Sequence, residues 1–158
     1  MLRARMNIKG LKNFQRELQK LEKEAEREEL IRECLIEIAK RAIRKVRKRT
    51  PVNTGKLRSD WKIGDIKKSG DTYDVDIFTD NEYAPFVENG FRAHFVPGYW
   101  EGKQFVYDKN AKTGMQVGKP GSWVSGKFML RISTKEVEQE MPRIIEHRTK
   151  KFLESRLK

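Results

Sequence analysis

Few side chains in this sequence are of the kinds that do chemistry, and their spacing decides what they are expected to do. The two histidines, His94 and His147, lie far apart. No Cys, Ser or carboxylate stands at the spacing of a nucleophile–base pair or a metal motif, so both read as solvent-facing. Asp74 and Asp76 share one side of "YDVDIF" and, with Asp60 or Glu88, would be the donors of a hard metal ion of the nuclease kind. Strand alternation alone turns two such aspartates toward water, and that reading is adopted. Neither GxxxxGK[ST] nor GxGxxG occurs between Gly90 and Gly126 or elsewhere, so no phosphate-cradling loop is indicated. No catalytic residue, cofactor or metal is expected, and the chain does not read as an enzyme.

The densest charge runs from Lys40 to Arg49, where seven of ten residues are Lys or Arg and none is acidic, and it leads into "TPVNTGKLRSDW" (Thr50–Trp61). Lys40, Arg44, Arg47 and Lys48 could neutralise phosphates, with Trp61 as a stacking neighbour. Ala39, Ala42, Ile43 and Val46 thread the same segment as a buried stripe, so a solvated basic helix face explains it more simply. A non-sequence-specific nucleic-acid-binding accessory protein using residues 40–49 is the alternative.

The elements that carry these residues follow from periodicity. Leu11, Phe14, Leu18, Leu21 and Ala25 recur at steps of three and four, a thin helical stripe. After "EREE" a wider face follows with Ile31, Cys34, Leu35, Ile38, Ala39, Ala42 and Val46. A continuous helix from 11 to 48 would be about 57 Å long, too long for the domain, so a break near Glu28 is expected. Residues 1–30 then form a projecting helical extension. Residues 31–158 form one α+β domain. Pro51 ends the helix; Leu57, Ser59, Trp61 and Ile63 alternate as a strand, and Tyr73, Val75 and Ile77 line one side of another. "NEYAPFVENG" reads as a helical turn closed by Gly90. A long Gly- and aromatic-rich loop occupies 91–125, and Pro142 divides or kinks the C-terminal helical segment. The fold class is α+β: a long N-terminal helix, a small antiparallel sheet, a long loop and a C-terminal helix or kinked helix pair.

At 158 residues, with a net charge of +12 and 37% charged side chains, the chain supports one modest core and favours an acidic partner. The single Cys34, set among apolar residues, suits synthesis in a reducing cytoplasm and excludes an internal disulfide. No run approaches the roughly 18 apolar residues of a membrane span, and "MLRARMNIKGLKNF" lacks a signal-like apolar core. Neither export nor membrane embedding is expected.

Three stretches in order carry a resemblance: "TPVNTGKLRSDW" (50–61), "NEYAPFVENG" (81–90) and "WVSGKFMLRIS" (123–133) before a terminal helix. Together they resemble the neck and tail-completion family of long-tailed bacteriophages and related prophages, proteins that join heads to tails. The matching residues are Thr50, Pro51, Thr54, Gly55, Leu57 and Arg58; Tyr83, Ala84, Val87, Glu88 and Gly90; and Gly126, Phe128, Met129 and Leu130. Asn89 departs from the family pattern, and the stretch from Tyr99 to Ser122 is longer than in its shortest members. The resemblance implies a non-catalytic virion assembly protein in the neck or tail. It would be assembled in the bacterial cytoplasm as a subunit of a structural ring, sixfold like the tail, between head-closure or connector proteins and the tail terminator or tail tube. Only weak, non-specific DNA contact is expected, and no membrane contact.

The Thr50–Gly55 turn is then a structural corner, where Asn53 and Thr54 bond local backbone and Gly55 takes a positive φ. Arg58 and Glu88 are expected to pair within or between subunits. Leu11, Phe14, Leu18 and Leu21, the aromatic Trp100, Tyr107 and Trp123, and the last turns around Phe152 and Leu157 are expected to meet neighbouring subunits.

Overall fold

The computed structural model describes residues 1–8 and 12–156. In chain order its elements are β1 (Leu2–Asn7), α1 (Lys12–Gln19), α2 (Glu24–Arg49), α3 (Lys56–Ser59), β2 (Lys62–Ile63), β3 (Lys67–Ser69), β4 (Thr72–Thr79), α4 (Ala84–Asn89), β5 (Gly90–Arg92), β6 (His94–Glu101), β7 (Gln104–Tyr107), β8 (Gly114–Val117), β9 (Trp123–Ser125) and α5 (Met129–Arg156). The α+β class holds. Among the described residues no helix is long and apolar enough to cross a membrane.

The body is a helical layer on one face of an antiparallel sheet. β4 is central, flanked by β1 on one side and by the short β2 and β3 on the other. Its inward side chains, Tyr73, Val75 and Ile77, are buried with Leu30, Leu35, Ile38 and Val46 of α2 and with Val137, Met141, Ile144 and Ile145 of α5. The composition of α2 explains its limits. Glu24 and Glu26 in the first turn and Arg47, Lys48 and Arg49 in the last complement the helix dipole, and Pro51 forbids continuation.

Residues 1–30 are not a projecting helix. "LRARMN" alternates Leu2, Ala4 and Met6 with Arg3, Arg5 and Asn7, a strand pattern, and it pairs with β4 from Leu2↔Thr79 to Asn7↔Asp74. The helical break lies at residues 20–23, before Glu28. Lys23 is extended there, and Arg27 Nε donates to Leu21 O at 2.7 Å, closing the corner. The corner folds α1 back and buries Phe14 and Leu21.

Two more expectations change, and the choice between a C-terminal helix and a kinked helix pair is resolved. Leu57–Ile63 is not a strand throughout: Gly55 at φ 82° turns the chain into α3, whose start is held by Ser59 N–H donating to Gly55 O. Only Lys62 and Ile63 remain extended. The C-terminal segment is one continuous helix with Pro142 inside it. Met141, Ile144 and Ile145, on both sides of the proline, are buried against the core, and this packing outweighs the local penalty. The segment 91–125 is not a loop but carries β5 to β9, in a β5–β9 pair and a β7–β6–β8 sheet. The latter sheet is called the arm.

Candidate functional site

The three motif stretches, separated in sequence, converge at one junction. Thr50 is buried at the end of α2; its hydroxyl donates to Val46 O at 2.8 Å and accepts from Trp61 Nε1–H at 3.1 Å. Met129 Sδ lies 3.4 Å from the same oxygen. Trp61 is fully buried, and its carbonyl accepts from Arg47 at 2.9 Å. Arg58 donates to Thr50 O at 3.3 Å, and the Thr54 hydroxyl accepts from Lys56 N–H at 3.4 Å. Leu57 packs on the core from a half-buried position.

Glu88 does not pair with Arg58. Its buried carboxylate accepts the backbone N–H groups of Leu130 at 2.8 Å and Arg131 at 2.9 Å. These are donors that a helix start leaves without intrahelical partners, and the negative charge suits that end of the dipole. The chain before α5 is stitched to the same place, with Lys127 N–H donating to Val87 O and Phe128 N–H to Glu88 O. This approach requires Gly126, where a Cβ would lie 2.3 Å from Glu88 O. It also places Phe128 at φ 48°, uncommon for a bulky residue. Gly90, at φ 82°, closes α4 as expected, and Ala84 is fully buried beneath the turn.

The outer side of the junction is a groove. Pro51, Val52, Tyr83 and Val87 form one wall, and Trp100, Phe105 and Met115 of the arm form the other, around about 1620 Å³. The groove is open to solvent and not an enclosed pocket. Val52 and Tyr83 are 56% and 73% exposed.

Of the expected interface residues, Trp100, Tyr107 and Trp123 are exposed, whereas Phe14, Leu21 and Phe152 are buried within the chain and Leu18 is half-buried against its core. The thin stripe needs no partner because the folded-back α1 delivers it to the body. Leu11 and Leu157 lie outside the described residues.

Lys40, Arg44, Arg47 and Lys48 are exposed and, at helical spacing i, i+4, i+7 and i+8, share one face of α2. The other cations of that segment cross to carboxylates: Arg41 to Glu37, Lys45 to Glu136 and Glu140, and Arg49 to Glu136. The hydrogen bonds that Lys45 donates to Glu140 and then to Glu136 push its ammonium above its ordinary value. Lys45 in turn is the main cause holding Glu136 below the usual carboxylate range. The stacking role considered for Trp61 is excluded by its burial. Asp76 does not face water either, because β1 lays Arg3 and Arg5 against its buried carboxylate at 3.3 and 3.2 Å. His94 and His147 are exposed. Cys34 is buried, and burial pushes its thiol up to about 12.

Two roles were missed by sequence reasoning: Glu88 as a helix cap and Val52 as a groove wall. The cap joins a side chain to backbone 42 residues away, and no local spacing signals it. A family model, HK97-gp10_like, described as "Bacteriophage HK97-gp10, putative tail-component", matches residues 12–90. The match takes in the first two motif stretches and ends where the path to the arm begins. No curated protein and no solved structure matches the chain.

Proposed function

Because this chain belongs to the HK97-gp10-like family of bacteriophage tail components, we propose that it is a non-catalytic subunit of a ring at the head–tail neck or tail end. In this reading it completes the tail between head-closure or connector proteins and the tail terminator or tail tube. The ring is sixfold, matching the tail, and the role requires no cofactor. The observation that carries the reading is the arm: Trp100 and Tyr107 remain exposed beside a body that encloses its own core. Exposed aromatic surface of this kind is a feature of proteins finished by partners.

Electron microscopy of particles made without the protein tests the role. The expected result is filled heads and tails that fail to join stably, or tails with defective ends. Normal particles would overturn it.

A second reading rests on the exposed cationic stripe of Lys40, Arg44, Arg47 and Lys48. A dedicated nucleic-acid site would show micromolar or tighter binding at physiological salt, abolished by K40E/R44E/K48E with the fold intact. Weak, sequence-independent binding that falls steeply with salt is expected instead.

A further inference from the structure

The arm has two different apolar faces, and neither carries a helix. Strand register and alternation put Trp100, Phe105, Tyr107 and Met115 on the face toward the groove, and Phe95 and Tyr99 on the outer one. Trp100 and Phe105 meet edge to face, their ring centroids 5.3 Å apart. Phe105 sits over Gly98, where a Cβ would lie 2.7 Å from the ring. Such packing orders each face but leaves it open. Phe95 is 54% exposed, Tyr99 43%, Trp100 57% and Tyr107 65%.

A sheet ordinarily buries an apolar face against another layer. At the 150–250 Å² that an aromatic side chain can bury, these four together leave roughly 450 Å² uncovered. In a contact between unlike faces this divides into about 200 Å² from the outer pair and about 250 Å² from the inner pair, a quarter to a third of the roughly 800 Å² that each partner contributes to a stable interface, so the exposed groove residues Val52 and Tyr83 must add to the inner side.

We infer that the groove is occupied by a second copy of this chain: the outer face of one arm seats in the groove of the next copy and stacks on its inner arm face. The two faces differ, so one head-to-tail contact repeated around an assembly covers both. A two-fold contact of one face with itself leaves the other face bare, and a two-fold exchange of both faces stops at a dimer, which the double variant below would reveal as dimers without a ladder. Head-to-tail contacts close into rings when the rotation permits, and sheets stack about 10 Å apart, a layer that a groove of 1620 Å³ can admit. The inference deepens the proposed ring and rests on it.

Thiol cross-linking of the full-length chain tests the contact. Gln116→Cys marks the outer face, opposite Phe95, and Tyr107→Cys marks the inner face; native Cys34 is buried and stays silent. With a bismaleimide spanning about 10 Å, matched to the sheet spacing, the double variant should give a ladder of multimers. A mixture of the two single variants should give dimers only, and each single variant alone should give none. Dimers from one single variant alone would show a like-with-like contact and overturn the inference. So would the absence of links in both purified protein and assembled particles at unchanged circular dichroism, or links in particles only to a different protein. As a check independent of the cysteines, F95S/Y99S should lower the multimer population at least tenfold without moving the thermal midpoint, and undiminished multimers would count against the contact. The two readings fail separately. Defective particles without a ladder remove only this contact, and a ladder with normal protein-free particles removes only the assembly role.

Discussion

The body and the arm solve the same problem in opposite ways. In the body every large inward side chain has a covering layer, and Trp61 at its corner is fully buried with its indole N–H satisfied by Thr50. In the arm Trp100 is 57% exposed and Tyr107 65%. Charge follows the same division. The ion pairs among the described residues all lie in the body, among them those tying α2 to α5, β1 to β4 and the start of α2 to β3, and none involves residues 81–135. The contrast teaches that apolar surface is treated differently in the two segments: the body covers its own within the chain, while the arm leaves its aromatic side chains exposed.

The largest effect that could break this contrast is at the tryptophans. Trp61→Ala should cost about 3–5 kcal/mol, the usual range for emptying a large aromatic site in a packed core, and it also strips the Thr50 hydroxyl of a donor. Trp100→Ala in the isolated chain should stay within about 0.5 kcal/mol, as exposed substitutions do. Urea unfolding of both variants checks this. A large loss at Trp100 would mean that the arm has a core of its own.

The next effect lies at the seam between the regions. Glu88→Ala removes the acceptor for two buried or half-buried backbone N–H groups, at Leu130 and Arg131, and should cost about 1–3 kcal/mol. Glu88→Gln keeps one carbonyl acceptor and loses the favourable charge at the helix start, so its cost should be smaller. Equilibrium unfolding ranks the two. Equal losses would show that the negative charge, and neither the side chain's shape nor a single remaining acceptor, holds the junction.

How much of this was legible in the sequence differs between the same two regions. The apolar face of α2, the inward side of β4 and the Gly90 closure followed from periodicity, because each has one buried side and one wet side. The arm reads as a loop for a physical reason. In "HFVPGYWE" both faces carry apolar residues, so the in–out contrast that marks a strand is absent. The strand "LRARMN" does alternate, but the helical stripe that begins at Leu11 masks so short a signal. The gathering of the three motifs was visible only as their order along the chain. That Thr50 meets Trp61 and that Glu88 caps α5 depends on the fold bringing distant backbone together.

The smallest expected effect uses acid to separate the regions. Glu37 on α2 is held below its ordinary value of 4.5, first by the hydrogen bond from Arg148 of α5, with burial opposing and Arg41 assisting. A carboxylate whose folded pKa is depressed stabilises the fold above its unfolded value, and that contribution is lost as pH falls through the folded one. Glu37 therefore supports the pairing of α2 with α5 at neutral pH and releases it below about 4.5. Glu37→Gln should be about 0.5–1 kcal/mol less stable than the parent at pH 7, the range for a partly exposed ion pair. The gap should close as the pH is lowered past 4.5. The arm has no such pair, so its tryptophan fluorescence should not follow this titration in the monomer, whereas a body probe at Trp61 should. Single-tryptophan variants retaining either Trp61 or Trp100 make the comparison direct. A gap that persists at pH 3, or an arm signal that tracks the body, would place the acid-sensitive contact elsewhere.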